Sequence, residues 1–327
     1  MCPLIKLTFN VSSMFSARRL LCLSFMLWTI VPSVEAQKTT PPKSQPAIAT
    51  TFCPKGSKGF FILYYGEDFT IFNRIRQLQP DFVILPELSK QQLKNGYLQK
   101  IYDAFHHNAT AADPAIRSVI YAHTHRSAAK PKDIDSFVRK ALKVGYEGIF
   151  FDDVEADSYD YNYARAKVVK DYDKSRIVIM NPGLVIQNKS MFDYADIVSV
   201  ENRWFDPLPV WADIQPYRWL AVQGDPSGET DPQVQIPTTN EQAIARLIEF
   251  RSGKHKSGEG GHGFWYYSSG PHHWQLPSFD LDRFKSDIQA LEGESNSCPL
   301  IADVGRRESH LGVRFGWLLY LPERRRL

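Results

Sequence analysis

Eight short apolar runs, each ending in polar residues, place the strongest constraint on how this chain folds. They are FFILYYG (60–66), DFVILPE (81–87), IRSVIYAHT (116–124), YEGIFFDDV (146–154), RIVIMNPG (176–183), DIVSVEN (196–202), RWLAVQGD (218–225) and HGFWYYSSG (262–270). Most are apolar along their length instead of alternating, the pattern of parallel strands covered on both faces. Helical stretches fall between them. Residues 132–144 place Ile134, Phe137, Val138 and Leu142 on one face and stop at Gly145. Residues 239–252 and 279–292 read similarly, with Asp280 and Asp282 enriching the first turn of the latter. After the fifth and sixth strands the links are less regular, and Pro207, Pro209 and Pro216 limit any helix there. The alternation predicts a single α/β domain, a TIM-like (β/α)8 barrel closed by a last helix before Cys298. A doubly wound open sheet is the alternative. No glycine-rich phosphate loop follows any strand, and no internal repeat is present.

The ends of the chain do not belong to this pattern. Leu20 to Val31 is a twelve-residue apolar run behind Arg18 and Arg19, followed by the small-x-small sequence Val34-Glu35-Ala36. That is the form of a secretory signal over residues 1–36, and the run is short of the ~20 residues a spanning helix needs. Residues 37–52 are rich in Pro and Thr and read as a flexible lead-in. The domain is expected over 53–298, with a basic, unstructured tail at 299–327. Trimming the ends matters for charge. The whole chain carries +3, with 39 Lys+Arg against 36 Asp+Glu, whereas the body is near −2. A strongly basic nucleic-acid surface is thereby excluded. Trimming also removes Cys2 and Cys22, so Cys53 and Cys298 are left to pair in an oxidising compartment. Sequons at Asn108 and Asn188 offer glycosylation sites to a secreted, extracellular or wall-associated protein.

In a barrel of this kind, chemistry gathers at the C-terminal ends of the strands. Here the first run ends in Tyr65, Glu67 and Asp68, the second in Glu87, and the third in His123, Thr124 and His125. The fourth ends in Asp152 and Asp153, the fifth in Asn181, the sixth in Glu201, and the seventh in Gln223. The eighth supplies Tyr267, and Trp274 follows its Ser-Ser-Gly-Pro turn. Glu67 and Glu87 read as loop or capping residues. His123 and His125 alternate along a strand and would face one way, a geometry open to a metal, although paired histidines more often form hydrogen bonds. Asp152, Asp153 and Glu201 stand apart, because isolated charges after strongly apolar strands are costly without partners. Neighbouring acids also push their pKa values apart, which suits a division between acid and base or nucleophile. These three are the candidate catalytic residues. Tyr65, His123, Asn181, Gln223, Tyr267 and Trp274 are the candidate substrate contacts, with Trp274 suited to stacking on a sugar ring.

The blocks GIFFDDV (148–154), IVIMNPG (177–183), YADIVSVEN (194–202) and HGFWYYSSGPHHWQLPSF (262–279), with YAHTH (121–125), resemble the spherulin 4-like family of secreted barrels, which includes glycoside hydrolase family 135. The resemblance spans about residues 58–292. It implies a TIM-like barrel and, in active members, hydrolysis of an α-1,4-linked galactosamine-containing exopolysaccharide. It carries the family's Asp-Glu pair onto Asp152 and Asp153, and its later Glu onto Glu201. Asp153 stands where the motif usually has Glu, and the second strand reads VILPE in place of Asn-Pro. The expected activity is a secreted glycoside hydrolase. Asp152 would be nucleophile or stabiliser, Glu201 the general acid/base and Asp153 a positioning or amine contact; the carboxylate roles are exchangeable. The alternatives are a catalytically weak polysaccharide-binding coat protein and a metal-dependent polysaccharide deacetylase. No cofactor, resident metal, nucleic acid or stable membrane span is expected; the partner is a polysaccharide.

Overall fold

The computed structural model describes residues 45–49, 59–106, 115–201, 211, 214, 216–223, 237–252, 265–268 and 275–292. The described barrel lies in one compact unit that begins at Pro46. Cys53, Cys298, Asn108, Trp274, the expected signal and the C-terminal tail lie outside the described residues. No helix among the described residues is long and apolar enough to cross a membrane.

All eight apolar runs form strands, and the first five strands are shorter than their runs. In chain order the elements are β1 (Phe61–Leu63), α1 (Phe69–Leu78), β2 (Phe82–Leu85), α2 (Lys90–Lys94), α3 (Tyr97–His106), β3 (Arg117–His123), α4 (Pro131–Val144) and β4 (Gly148–Asp152). There follow α5 (Tyr159–Tyr172), β5 (Ile177–Asn181), β6 (Ile197–Glu201), β7 (Trp219–Gln223), α6 (Asn240–Ser252), β8 (Trp265–Ser268) and α7 (Leu281–Glu292). The strands pair in parallel in sequence order, β1 through β8. β8 comes back beside β1, so the sheet curls into the expected α/β barrel and not an open doubly wound sheet. Among the described residues, short 3-10 segments stand in the connections after β5, Lys189–Asp193, and after β6, Pro216–Arg218.

The helix boundaries follow local chemistry. Asp68 caps α1 by accepting from the Thr70 N–H at 2.8 Å. Ser89 and Gln92 form a reciprocal box at the start of α2, each side chain bonding the other's backbone N–H. Pro131 opens α4 and Gly145, at φ +127°, ends it. Gly148 has a different reason to be glycine: a Cβ there would stand 2.8 Å from the Ile177 Cβ and carbonyl, so β4 can approach β5 only without one.

Within the segment expected to be a flexible lead-in, residues 46–49 are anchored to the barrel. The Ile48 and Ala49 N–H groups both donate to the Asp193 carbonyl, at 2.7 and 2.9 Å. The Tyr163 hydroxyl donates to the Pro46 carbonyl at 3.0 Å.

α5 has no clean apolar stripe, because it buries polar groups as well as Val168 and Val169. Arg165 Nε lies 2.6 Å from Asp135 Oδ1 on α4. Lys170 reaches beneath the barrel, where its Nζ donates to Asp196 Oδ2 at 2.6 Å and to the Arg176 and Lys174 carbonyls at 2.7 and 3.3 Å. Three donors thus meet three acceptors. The same Asp196 oxygen accepts the Val178 N–H at 2.7 Å, so the pair joins α5 to the entry of β5 and of β6. Both side chains are almost wholly shielded from water. Such pairs contribute little relative to an apolar substitute, but removing one partner strands a buried charge. Lys170→Met is therefore expected to lower unfolding stability by about 3–5 kcal/mol, read from urea melts at pH 7. A loss under about 1 kcal/mol would show that Asp196 is satisfied without the ammonium.

Candidate active site

The C-terminal rim of the barrel brings four residues from consecutive or neighbouring strands into one hydrogen-bonded group. Asp152 ends β4 and is in register with His123 on β3 and Asn181 on β5. The Asn181 amide nitrogen donates to Asp152 Oδ1 at 2.5 Å and to Glu201 Oε2 at 2.7 Å. Its own oxygen accepts the Gly183 N–H at 3.1 Å, which fixes the amide's orientation. Gly183 adopts φ +63°, a left-handed conformation that glycine reaches without strain. The other oxygen of Asp152, Oδ2, accepts a short hydrogen bond from the Tyr121 hydroxyl. Tyr121 in turn meets Tyr65 edge to face, with ring centroids 5.2 Å apart.

Two carboxyl oxygens bonded to one amide nitrogen can stand no more than about 5 Å apart. Burial, and then the charge of Glu201, push Asp152 up to about 6, while the Tyr121 and Asn181 donors pull the other way. Tyr65 and Tyr121 are both held well above the ordinary tyrosine value, by burial first and then by the nearby acids, so both stay neutral donors. Below about pH 6 the two carboxyls hold a proton that belongs to the pair.

Asp153 does not join Asp152, contrary to what adjacency suggests. Thr124 Oγ1 donates to the carbonyls of both residues, at 2.9 and 2.8 Å, and Asp153 then turns to φ +51°. That left-handed turn sends consecutive carboxylates in different directions. The Asp153 carboxylate lies 3.3 Å from His123 Nε2 and 3.3 Å from Arg126 Nε. The charged partner of Asp152 is thus Glu201, two strands away, and not its neighbour in sequence.

The expected His-Thr-His alternation also resolves differently. β3 ends at His123, and His125, Arg126 and Ser127 follow as three consecutive left-handed residues at φ +50°, +51° and +62°. His125 folds back so that its ring centroid lies 3.9 Å from that of His123. The two rings lie against each other and do not face one way from a common strand. Among the described residues no cluster of three or more His, Cys, Asp or Glu has a metal-holding arrangement. Glu87 is more than half exposed, 3.9 Å from His123 Nδ1, and Glu67 accepts from the Gln92 side chain, consistent with loop positions.

Of the expected substrate contacts, Asn181 is placed between the carboxyls and Tyr65 against Tyr121, while His123 faces Asp153. Gln223 and Tyr267 lie in β7 and β8 by backbone, their side chains outside the described residues, as is Trp274 altogether. Asn188 is exposed and caps the 3-10 segment by accepting from the Ser190 N–H at 3.1 Å. Tyr121 is the residue that the sequence reading missed. It sits two positions before the strand's end, inside the apolar run, and only its bond to Asp152 marks it as part of the site.

No curated protein matches the chain. Among solved structures, a phosphoenolpyruvate phosphomutase from Streptomyces platensis subsp. rosaceus is similar at 15% identity and a TM-score of 0.35, over 50% of this chain and 67% of that one. A "putative phosphonomutase" from Burkholderia cenocepacia J2315 is similar at 10% identity and a TM-score of 0.34, over 54% of this chain and 81% of that one. Likenesses this low carry no argument, and the barrel rests on its own strand order. The pattern of spherulation-specific family 4 matches residues 72–227, the stretch that holds Tyr121, Asp152, Asn181 and Glu201. Over that stretch, just under half of its length, the chain is spherulin 4-like.

Proposed function

We propose that this chain is a secreted glycoside hydrolase acting on an α-1,4-linked polymer that contains galactosamine or N-acetylgalactosamine. One observation carries the reading: a single amide, Asn181, bonds two carboxyls at the barrel mouth, and burial with mutual repulsion raises one of them. Glycoside hydrolysis needs such a pair, one member carrying a proton and the other ionised. With the two bonded oxygens no more than about 5 Å apart, the pair lies nearer the retaining class, whose carboxyls stand ~5–5.5 Å apart, than the inverting class at ~6.5–9.5 Å.

We assign Asp152, the carboxyl raised by burial and by its neighbour's charge, as the general acid and Glu201 as the nucleophile, the exchanged form of the roles expected from sequence. Asp152 gives its proton to the glycosidic oxygen as that C–O bond breaks, and a Glu201 oxygen bonds the anomeric carbon. Asp152, now ionised, takes a proton from water, whose oxygen displaces Glu201 and regenerates both groups. Asp153, near the mouth and 36% exposed, is suited to an amine on the substrate, and the mildly acidic body to a partly cationic polymer.

The test is release of reducing ends from acetylated and de-N-acetylated galactosamine polymers by the secreted protein. Wild-type protein is expected to work below about pH 6 and to lose activity as pH rises through that value, because Asp152 then gives up its proton. Glu201→Gln is expected to abolish release, by about 10³-fold or more, without loss of fold. Inactivity of the wild type on every such polymer sinks the reading. Binding without product would identify a polysaccharide-binding coat protein, and chelator-sensitive acetate release a deacetylase.

The same charge conflict is readable without substrate. Asp152 has a folded pKa above its unfolded value, so the folded state binds more protons between about pH 4 and 6. Stability therefore falls as pH rises through that window, and the ionised form is penalised at pH 7 by roughly 2–3 kcal/mol. Asp152→Asn is expected to melt several degrees higher than wild type at pH 7, with the gain vanishing by pH 4. An equal gain at both pH values would show that the effect is packing and not charge.

A further inference from the structure

We infer that Tyr121 is a positioning residue for the carboxyl pair: its hydroxyl occupies Asp152 Oδ2 while Asn181 occupies Oδ1, so the carboxyl is held by both oxygens and hands on its proton in one fixed direction. The inference rests on the glycosidase reading for its catalytic meaning, but the geometry stands independently. A carboxyl bonded through one oxygen can swing about its last torsion, which is broad. One gripped from β3 on one side and β5 on the other cannot.

The grip is itself held in place. Tyr121 is buried within the barrel rim, where its ring meets Tyr65 edge to face and lies 5.9 Å from both Phe150 and His123. These contacts hold the ring, and so place its hydroxyl against Asp152 Oδ2. The groups that act on Asp152 are Tyr121 from β3, the Asp153 N–H, Asn181 from β5, Glu201 from β6 and Tyr65 beyond β1; His123 is beside it in register but faces Asp153, and Glu87 acts on the two tyrosines. Of the tyrosines, Tyr121 is the one that donates to the carboxyl. Burial and Glu201 both make Asp152 keep its proton; three donors, Tyr121, Asn181 and the Asp153 N–H, oppose them. Tyr121 thus brings the acid to a point where it can be both loaded and discharged in mildly acidic water.

Tyr121→Phe keeps the ring and deletes only the donor. Losing a donor to the ionised form raises the carboxyl's pKa, so the alkaline limb of the pH profile is expected to move up by roughly one pH unit. At the same time kcat is expected to fall about tenfold while KM barely changes, since the loss is in alignment and not in sugar binding. The carboxyl titration of Asp152, followed by 13C NMR in protein labelled at aspartate carboxyls, supplies a readout that needs no substrate. Its midpoint is expected to rise by the same amount. An unmoved midpoint with unchanged kcat overturns the inference, and so does a rise in KM alone, which would make Tyr121 a sugar contact.

If the wild type hydrolyses nothing, the glycosidase reading fails, and the NMR midpoint still decides whether Tyr121 governs Asp152. If Tyr121→Phe does not fold, 3-fluorotyrosine at position 121 gives the opposite test. Its more acidic phenol is a stronger donor, so the Asp152 midpoint should fall, and a midpoint that stays put overturns the inference.

Discussion

Burial of the parallel strands on both faces is the constraint from which the rest of this structure follows. β2 is shielded along its whole length, as are β1 and β5, so no charged side chain sits within them. Charge is pushed to the two ends of the sheet, and the ends treat it in opposite ways. β6 shows both within a few residues. Asp196, just before it, meets an ammonium that has all three protons engaged. Glu201, at its far end, shares a neutral amide with another acid. One end is neutralised and ties helices to strands. The other is left in conflict.

That conflict is what makes the upper end chemically useful. An ammonium or guanidinium on Asp152 would hold it ionised at every physiological pH, and it could carry no proton. Tyr121 and Asn181 supply hydrogen bonds without charge, which orient the carboxyl while leaving its proton exchangeable. The arrangement is held against its own repulsion by elements that are rigid for other reasons. β4 and β5 run in close contact at Gly148, and the Asn181 amide is pinned by the Gly183 backbone. A scaffold with this much buried apolar surface can tolerate a few kcal/mol of strain at its rim.

How far the sequence disclosed this depends on the kind of signal. Strand number and order were legible because RIVIMNPG and DFVILPE are continuous apolar runs, which few other arrangements can bury. Strand ends were less so: the pattern cannot show where a polar residue leaves the ladder, and β1 stops at Leu63, three residues before its run does. α5 was obscured because Arg165 and Lys170 are buried with acidic partners that no periodicity reveals. The acids at 152, 153 and 201 were visible as charges behind apolar strands. Their pairing was not, because Asp153 adopts a left-handed backbone that sequence adjacency does not advertise. Tyr121 was hidden for a related reason: a tyrosine inside an apolar run reads as core, and its hydroxyl has meaning only once β4 lies beside it.

The left-handed residues at the rim carry a further consequence. His125, Arg126, Ser127 and Asp153 each adopt a conformation that glycine would take freely and that side chains resist by about 1 kcal/mol or more. The path of the backbone alone does not require these residue types. Two of the four place a ring or a carboxylate against His123, and a third aims its guanidinium at that carboxylate. Ser127 does neither; its hydroxyl lies 3.4 Å from the Asn162 side chain, away from the carboxyl pair. The rim is thus divided, by residue, into positions where strain is exchanged for an interaction at the mouth and one where it is not. Any effort to harden this barrel against heat has its first foothold at that one position, since relieving the backbone there disturbs nothing that points at the acids.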